Sequence, residues 1–317
     1  MENTSMLTMK NFLTIAASTL LALSAISVSA QSADNGRFLS LTPPDGLPII
    51  PVLEGWIDNQ DGTTSFSFGI INRNEEGVDI PLGEANRIEP AKWDGIQPTY
   101  FPPGRSTGAF TVTVPNAERE TDVWWYLKTG SNEELKVPGR YGASAYELDF
   151  IRPRPQGALQ PRVGLGEGGD QLPGLYAQIG DYPGGAVSVG ERVELVVNAS
   201  DPAERDPTDP RFGEPLPMGV AFMKYQGPGD VEFTPHESTP AAENPYNEND
   251  RRYNFWRAPA ANELEIPGPA GTARVYATFS APGDYIISTK VDIHEAPDSS
   301  NGDQCCWTNV YQRVTVR

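Results

Sequence analysis

Tyr285-Ile286-Ile287-Ser288-Thr289-Lys290-Val291-Asp292 and, at the end of the chain, Val310-Tyr311-Gln312-Arg313-Val314-Thr315-Val316 decide the reading of the fold. In the first stretch Tyr285, Ile287, Thr289 and Val291 share one side, while Ile286, Ser288, Lys290 and Asp292 share the other. In the second, Val310, Val314 and Val316 alternate with Tyr311, Arg313 and Thr315. A period of two is the period of an extended strand, whose successive side chains leave on opposite faces. The same alternation runs through residues 191–197, where Val193, Leu195 and Val197 line one face. It recurs in residues 63–71, where Phe66, Phe68 and Ile70 interleave with Ser65, Ser67 and Gly69. These are expected to be half-buried strands of antiparallel sandwiches. No run of ten or more residues sustains a helical period.

Working outward, 31 glycines and 30 prolines punctuate short segments rich in Val, Ile, Thr, Tyr and Phe, the pattern of strands and turns. A first β domain is expected over residues 42–152. Its segments 49–56 and 63–71 flank Asp58-Asn59-Gln60-Asp61-Gly62, a loop of the kind that closes a hairpin. Residues 109–114, 122–129 and 144–150 are further strand candidates, and 83–105, with Pro90, Pro98, Pro102 and Pro103, reads as an ordered loop. Residues 153–174 form a Pro/Gly-rich linker, because a stretch containing Gly164-Leu165-Gly166-Glu167-Gly168-Gly169 is poorly suited to a ladder. A second domain follows over residues 175–317, with strands at 191–197, 220–225, 274–279, 285–293 and 310–316. The expected fold is therefore all-β: two antiparallel β-sandwich, immunoglobulin-like domains behind a cleaved signal peptide.

The signal peptide is residues 1–30. A polar start ends at Lys10, a mostly apolar run leads from Phe12 to Val28, and Val28-Ser29-Ala30 places small side chains where a signal peptidase reads. The run is interrupted by Thr14, Ser18, Thr19, Ser24 and Ser27, and no basic cluster follows it, which argues against an anchor. Cleavage before Gln31 would leave a chain with no second apolar stretch of membrane-spanning length, in the periplasm or outside the cell. The full chain carries 24 Lys and Arg against 42 Asp and Glu, a formal net charge of −18. The excess is spread along the chain, with 9 basic and 17 acidic groups in residues 42–152. Such a surface repels phosphate backbones and anionic lipid, so nucleic acid is excluded as a partner. The expected partner is a protein or glycan of the cell envelope or exterior.

Gly190-Glu191-Arg192-Val193-Glu194-Leu195, Asn198-Ala199-Ser200-Asp201-Pro202, Ala277-Thr278-Phe279-Ser280-Ala281-Pro282-Gly283-Asp284-Tyr285 and the Val-rich final strand carry a resemblance. Their order is similar to that in polycystic-kidney-disease-type and related immunoglobulin-like domains of exported bacterial proteins. It covers residues 187–317. The resemblance implies that Pro282-Gly283-Asp284-Tyr285 makes the corner before a core strand, with the Tyr285 ring in the core and its hydroxyl on nearby backbone. The chain departs from the family in an insertion at about residues 226–262 and in the tail Cys305-Cys306-Trp307-Thr308-Asn309. These folds serve as spacers, adhesins and binding modules alike.

Several residues could carry chemistry. Cys305 and Cys306 are adjacent in a protein sent to an oxidising compartment. Neighbouring Cα atoms lie about 3.8 Å apart, closer than in ordinary bridged pairs, so a disulfide between them would be strained. A strained vicinal disulfide leads; a reduced buried pair, a soft-metal or redox site, and bonds to another chain are the alternatives. His236 and His294 fit no metal-ligand spacing. Asp201, Asp206 and Asp209 offer hard oxygen ligands to calcium, although no EF-hand pattern is present and a solvated acidic loop is the plainer reading. No other cofactor is expected.

Aromatic rings can stack on sugars. In Trp124-Trp125-Tyr126 alternation sends Trp125 to one face and its neighbours to the other, so at least one face is core. In the insertion, Tyr246, Tyr253, Phe255 and Trp256 lie among charges, and with Trp307 they are the candidate ligand-binding side chains. No nucleophile elbow is present, since Gly142-Ala143-Ser144-Ala145-Tyr146 breaks that pattern at its last position. The expectation is an exported, non-enzymatic binding or scaffold protein. The alternatives are a glycan hydrolase using paired carboxylates, and a metal-handling or redox protein centred on the cysteine pair.

Overall fold

The computed structural model describes residues 46–59, 61–148, 159–204, 208, 217–293 and 307–317. Residues 1–30, expected to be a signal peptide, and Asp206, Asp209, His294, Cys305 and Cys306 lie outside the described residues.

Strands β1 (Ile50–Asp58), β2 (Thr63–Asn72), β3 (Val78–Asp79), β4 (Asn86–Glu89), β5 (Tyr100–Phe101), β6 (Gly104–Pro115), β7 (Val123–Leu127) and β8 (Leu135–Gly139) build the first sandwich. One sheet runs β1-β2-β6 and the facing one β4-β7-β8, both antiparallel, with β3 paired to β5. The expected hairpin closes β1 onto β2, and Gly62 supplies the left-handed turn with φ 84°. Phe66, Phe68, Ile70, Phe110, Val112 and Val114 project from the first sheet onto Ile88, Val123, Trp125 and Leu127 of the second. Trp125 sits edge-on to Phe110 with centroids 4.7 Å apart, and its Nε1 donates to Asn86 Oδ1 at 3.0 Å.

Two expectations change in this region. Residues 83–105 are not loop throughout, because they contain β4 and β5. The buried Asn86 side chain donates to the Ile80 and Pro98 carbonyls, at 3.0 and 2.8 Å, and so replaces ladder bonds that the prolines cannot make. Residues 144–146 form a single 3-10 turn rather than a strand, and the segment packs over Gly55.

The second sandwich consists of β9 (Arg162–Leu165), β10 (Gln178–Asp181), β11 (Arg192–Ser200), β12 (Met218–Gln226), β13 (Val231–Pro235), β14 (Glu263–Ile266), β15 (Ala270–Phe279), β16 (Gly283–Asp292) and β17 (Trp307–Val316). Its sheets run β13-β15-β11-β9 and β10-β17-β16-β12-β14, with β10 parallel to β17 and the other pairs antiparallel. This arrangement is immunoglobulin-like, and the corner before β16 is a tyrosine corner. Tyr285 is buried, and its hydroxyl donates to Ala281 O at 2.9 Å while accepting from Gly229 N–H at 3.0 Å.

Residues 162–165 make a ladder after all. Asn198 supports it by donating its side-chain amide to the Gly166 carbonyl at 2.7 Å. The start of the insertion is likewise part of the sandwich, since β13 pairs with β15.

The largest departure concerns β16 and β17. Val310, Val314, Val316, Tyr285, Ile287 and Val291 pack into the second core. Their opposite faces are covered too, because Tyr225, Tyr311, Ile179 and Ile286 pack against the core of the first sandwich. The five-stranded sheet is thus covered on both faces over part of its extent, while Asp284, Arg313 and Thr315 stay exposed. Further bonds seal this junction: Thr99 N–H to Tyr225 O at 2.8 Å, Gln226 Nε2 to Gln97 O at 2.7 Å, and Lys224 Nζ to Asp79 Oδ1 at 2.7 Å.

Candidate functional site

The insertion leaves β13 at the edge of one sheet and returns at β14, the edge of the other. Both ends are tied down. Thr239 Oγ1 donates to Arg274 O at 3.3 Å, and Asn262 exchanges bonds with Phe222, donating Nδ2 to its carbonyl at 2.7 Å. Between the ties the chain is held by its own polar groups. Asn244 accepts from Tyr246 N–H at 3.0 Å and donates to Tyr253 O at 3.1 Å. Asp250 grips Arg252 through Nη2 at 2.6 Å and Nε at 3.0 Å. That hydrogen-bonded guanidinium holds the Asp250 carboxyl below its ordinary range, and the same guanidinium lies 4.3 Å from the Tyr246 ring centre.

The consequence is a loop that presents rather than buries its rings. Phe255 is 79% exposed and Tyr253 36%, whereas Trp256 and Tyr246 are half-buried. Four of the five sequence-predicted aromatics therefore share one loop, and Tyr246 serves it as a clamp with Arg252. Trp307 is not with them. It opens β17, buried, with its ring against Gly108, where any Cβ would overlap the indole. Trp124 and Tyr126 share the outer face of their sheet, under Lys136 and Arg87, while Trp125 is core. Asp201 accepts from Ala203 N–H at 2.9 Å, a local turn bond.

Sequence reading passed over the arginines. Arg251, Arg252 and Arg257 place three of 24 basic groups within seven residues of an acidic chain. That clustering was the available signal. Arg257 donates to the carbonyls of Asn254 and Trp256, at 3.1 and 2.8 Å, so it stiffens the turn that carries Phe255.

Beside the loop's root, the outer face of the four-stranded sheet carries a polar network. Ser238 N–H donates to His236 Nδ1 at 3.1 Å, which leaves the Nε2 proton facing Glu194 Oε1 at 3.3 Å. Glu194 also binds Arg274 at 2.6 Å. Glu237 accepts from the Tyr276 hydroxyl at 2.7 Å, a bond that lowers the carboxyl and raises the phenol. These acids are engaged by cations and a phenol. Among the described residues no group of three or more His, Cys, Asp or Glu is arranged to hold a metal ion.

No protein-family model and no curated protein sequence matches the chain. Similar solved structures include the D0-D1 domain of intimin, at 11% identity and a TM-score of 0.24, covering 84% of this chain and 97% of that one. The collagen adhesin (CNA) from S. aureus is similar at 10% identity and a TM-score of 0.22, covering 84% and 92%. The PapD-like domain 7 of human CEP192 is similar at 11% identity and a TM-score of 0.25, covering 56% and 98%.

Proposed function

We propose that this chain is an exported, non-enzymatic binding or scaffold protein that meets a component of the cell envelope or exterior through residues 243–257. Export rests on the pattern of residues 1–30. The observation that carries the binding reading is Phe255, 79% exposed at the turn of a loop whose two ends are bonded into the edges of two sheets. An exposed aromatic costs free energy in water, and one held in place by Asp250, Arg252 and Arg257 loses little further conformational entropy on binding. Tyr, Trp and Arg are also the side chains that dominate binding energy at recognition surfaces, and Phe is enriched there with them.

The test is retention of the purified mature protein on cell-envelope fractions and a panel of extracellular polymers. Phe255→Ala combined with Trp256→Ala should weaken retention at least tenfold while leaving the circular dichroism spectrum unchanged. Equal retention of the variant, or none by the wild type, would overturn the reading.

A further inference from the structure

Residues 250–257 hold three arginines and one acid, Asp250, in a chain of net charge −18. The loop's other acids, Glu243 and Glu248, precede this turn in sequence. Backbone bonds from Tyr253 N–H to Asp250 O at 2.9 Å, and from the Phe255 and Trp256 N–H groups to Arg252 O at 3.0 Å each, wind it into helical-type turns. Side chains three and four residues apart are neighbours in such turns, so Arg251 stands beside Asn254 and Phe255. All three are exposed.

The three guanidiniums differ in what already holds them. Arg252 is taken up by Asp250, through Nε at 3.0 Å and Nη2 at 2.6 Å, and by the Tyr246 ring. Arg257 uses only Nη1, on the carbonyls of Asn254 and Trp256, which bring no charge. Arg251 makes no hydrogen bond or ion pair among the described residues, and neither does the side-chain amide of Asn254. Arg251 and Arg257 therefore present positive charge that no carboxylate offsets, on either side of the most exposed ring of the loop.

That combination suits one kind of ligand. A flat ring stacks on the apolar face of a sugar, an amide bonds its hydroxyls, and a guanidinium takes a carboxylate through two parallel bonds. A stable protein interface engages about 20 to 30 residues a side, whereas residues 251–257 offer a short turn with one fully presented apolar ring, a size that matches one or two sugar units. Elsewhere the acidic chain repels a polyanion, so contact is confined to this turn.

Given that residues 243–257 are the binding surface, the reading on which this assignment rests, we propose that the turn recognises a carboxylate-bearing polysaccharide, a uronate polymer. Phe255 lies under a sugar face, Asn254 meets a hydroxyl, and Arg251 and Arg257 take carboxylates.

The test titrates the full mature chain with three polymers. Polygalacturonate carries both sugar and charge, its methyl ester keeps the sugar faces without the charge, and polyglutamate keeps the charge without the sugar. Polygalacturonate should bind about tenfold tighter or more than either control, and its binding should weaken as salt rises. Arg251→Glu, at a side chain that bonds nothing in the fold, should weaken it by about tenfold or more, and so should Phe255→Ala, each with an unchanged circular dichroism spectrum. Equal or tighter binding of the methyl ester or of polyglutamate overturns the assignment, as does unchanged binding of polygalacturonate by Arg251→Glu. If the wild type ignores polygalacturonate but is retained on envelope fractions in a way that Phe255→Ala with Trp256→Ala removes, the uronate assignment falls and the loop stands as the binding surface. A wild type retained by nothing overturns both.

Discussion

At Tyr285 one hydroxyl joins three parts of the second sandwich, donating to Ala281 O and accepting from Gly229 N–H while its ring fills the core. Its fit depends on Gly227, where φ is 148° and any Cβ would overlap the ring. Tyr285→Phe keeps the ring and leaves both backbone groups without their partner. It should cost about 1 to 3 kcal/mol, read as a lower urea midpoint at unchanged slope. Gly227→Ala adds a left-handed backbone and an overlap with an aromatic that cannot move. It should cost more than Tyr285→Phe in the same measurement. A smaller effect would show that the corner yields.

The insertion behaves as an element with separate ends and middle. Its ends at Thr239 and Asn262 belong to the sandwich through Arg274 and Phe222. Its middle is held by local bonds such as those of Asp250 to Arg252 and Asn244 to Tyr253. Replacing residues 242–258 with a short Gly/Ser linker should therefore shift the melting temperature by only a few degrees, since loop length costs little in closure entropy. The same replacement should abolish the retention expected of the wild type. A collapse of the melting temperature would mean that the loop is structural packing and not a presented surface.

Across the whole molecule, the second face of β16 and β17 governs cooperativity. Tyr311 and Tyr225 are buried against the first core and Ile286 partly so, and full burial of a large apolar side chain is worth about 1.5 to 3 kcal/mol. Calorimetry should then show one unfolding transition with matching calorimetric and van't Hoff enthalpies. Tyr311→Ala, which empties the space between the Tyr176 and Tyr225 rings, should lower it by about 3 kcal/mol or more. Two resolved transitions in the wild type would mean that the sandwiches unfold independently.

Most strands were legible because a period of two with Val, Ile and Phe on one side is itself the physics of a half-buried sheet. Residues 63–71, 191–197 and 310–316 carry it plainly, and so does the turn-rich loop between β1 and β2. The four aromatics of the insertion were legible as surplus to a core. What local sequence could not carry was anything set by contacts far along the chain. β4 is concealed among prolines because the side chain of its own Asn86, held by Trp125, bonds the Ile80 and Pro98 carbonyls, and β9 among glycines because β11 supplies its ladder. Glu54 looks like one more surface acid until a bulge in β1 turns it onto Gly69. Alternation specifies which side chains share a face but not what covers that face. The polar-looking sides of β16 and β17 could be read as solvent-facing from Ser288, Lys290 and Arg313, and only the docking of a second sandwich, through Tyr311, Ile286 and Tyr225, buried part of them.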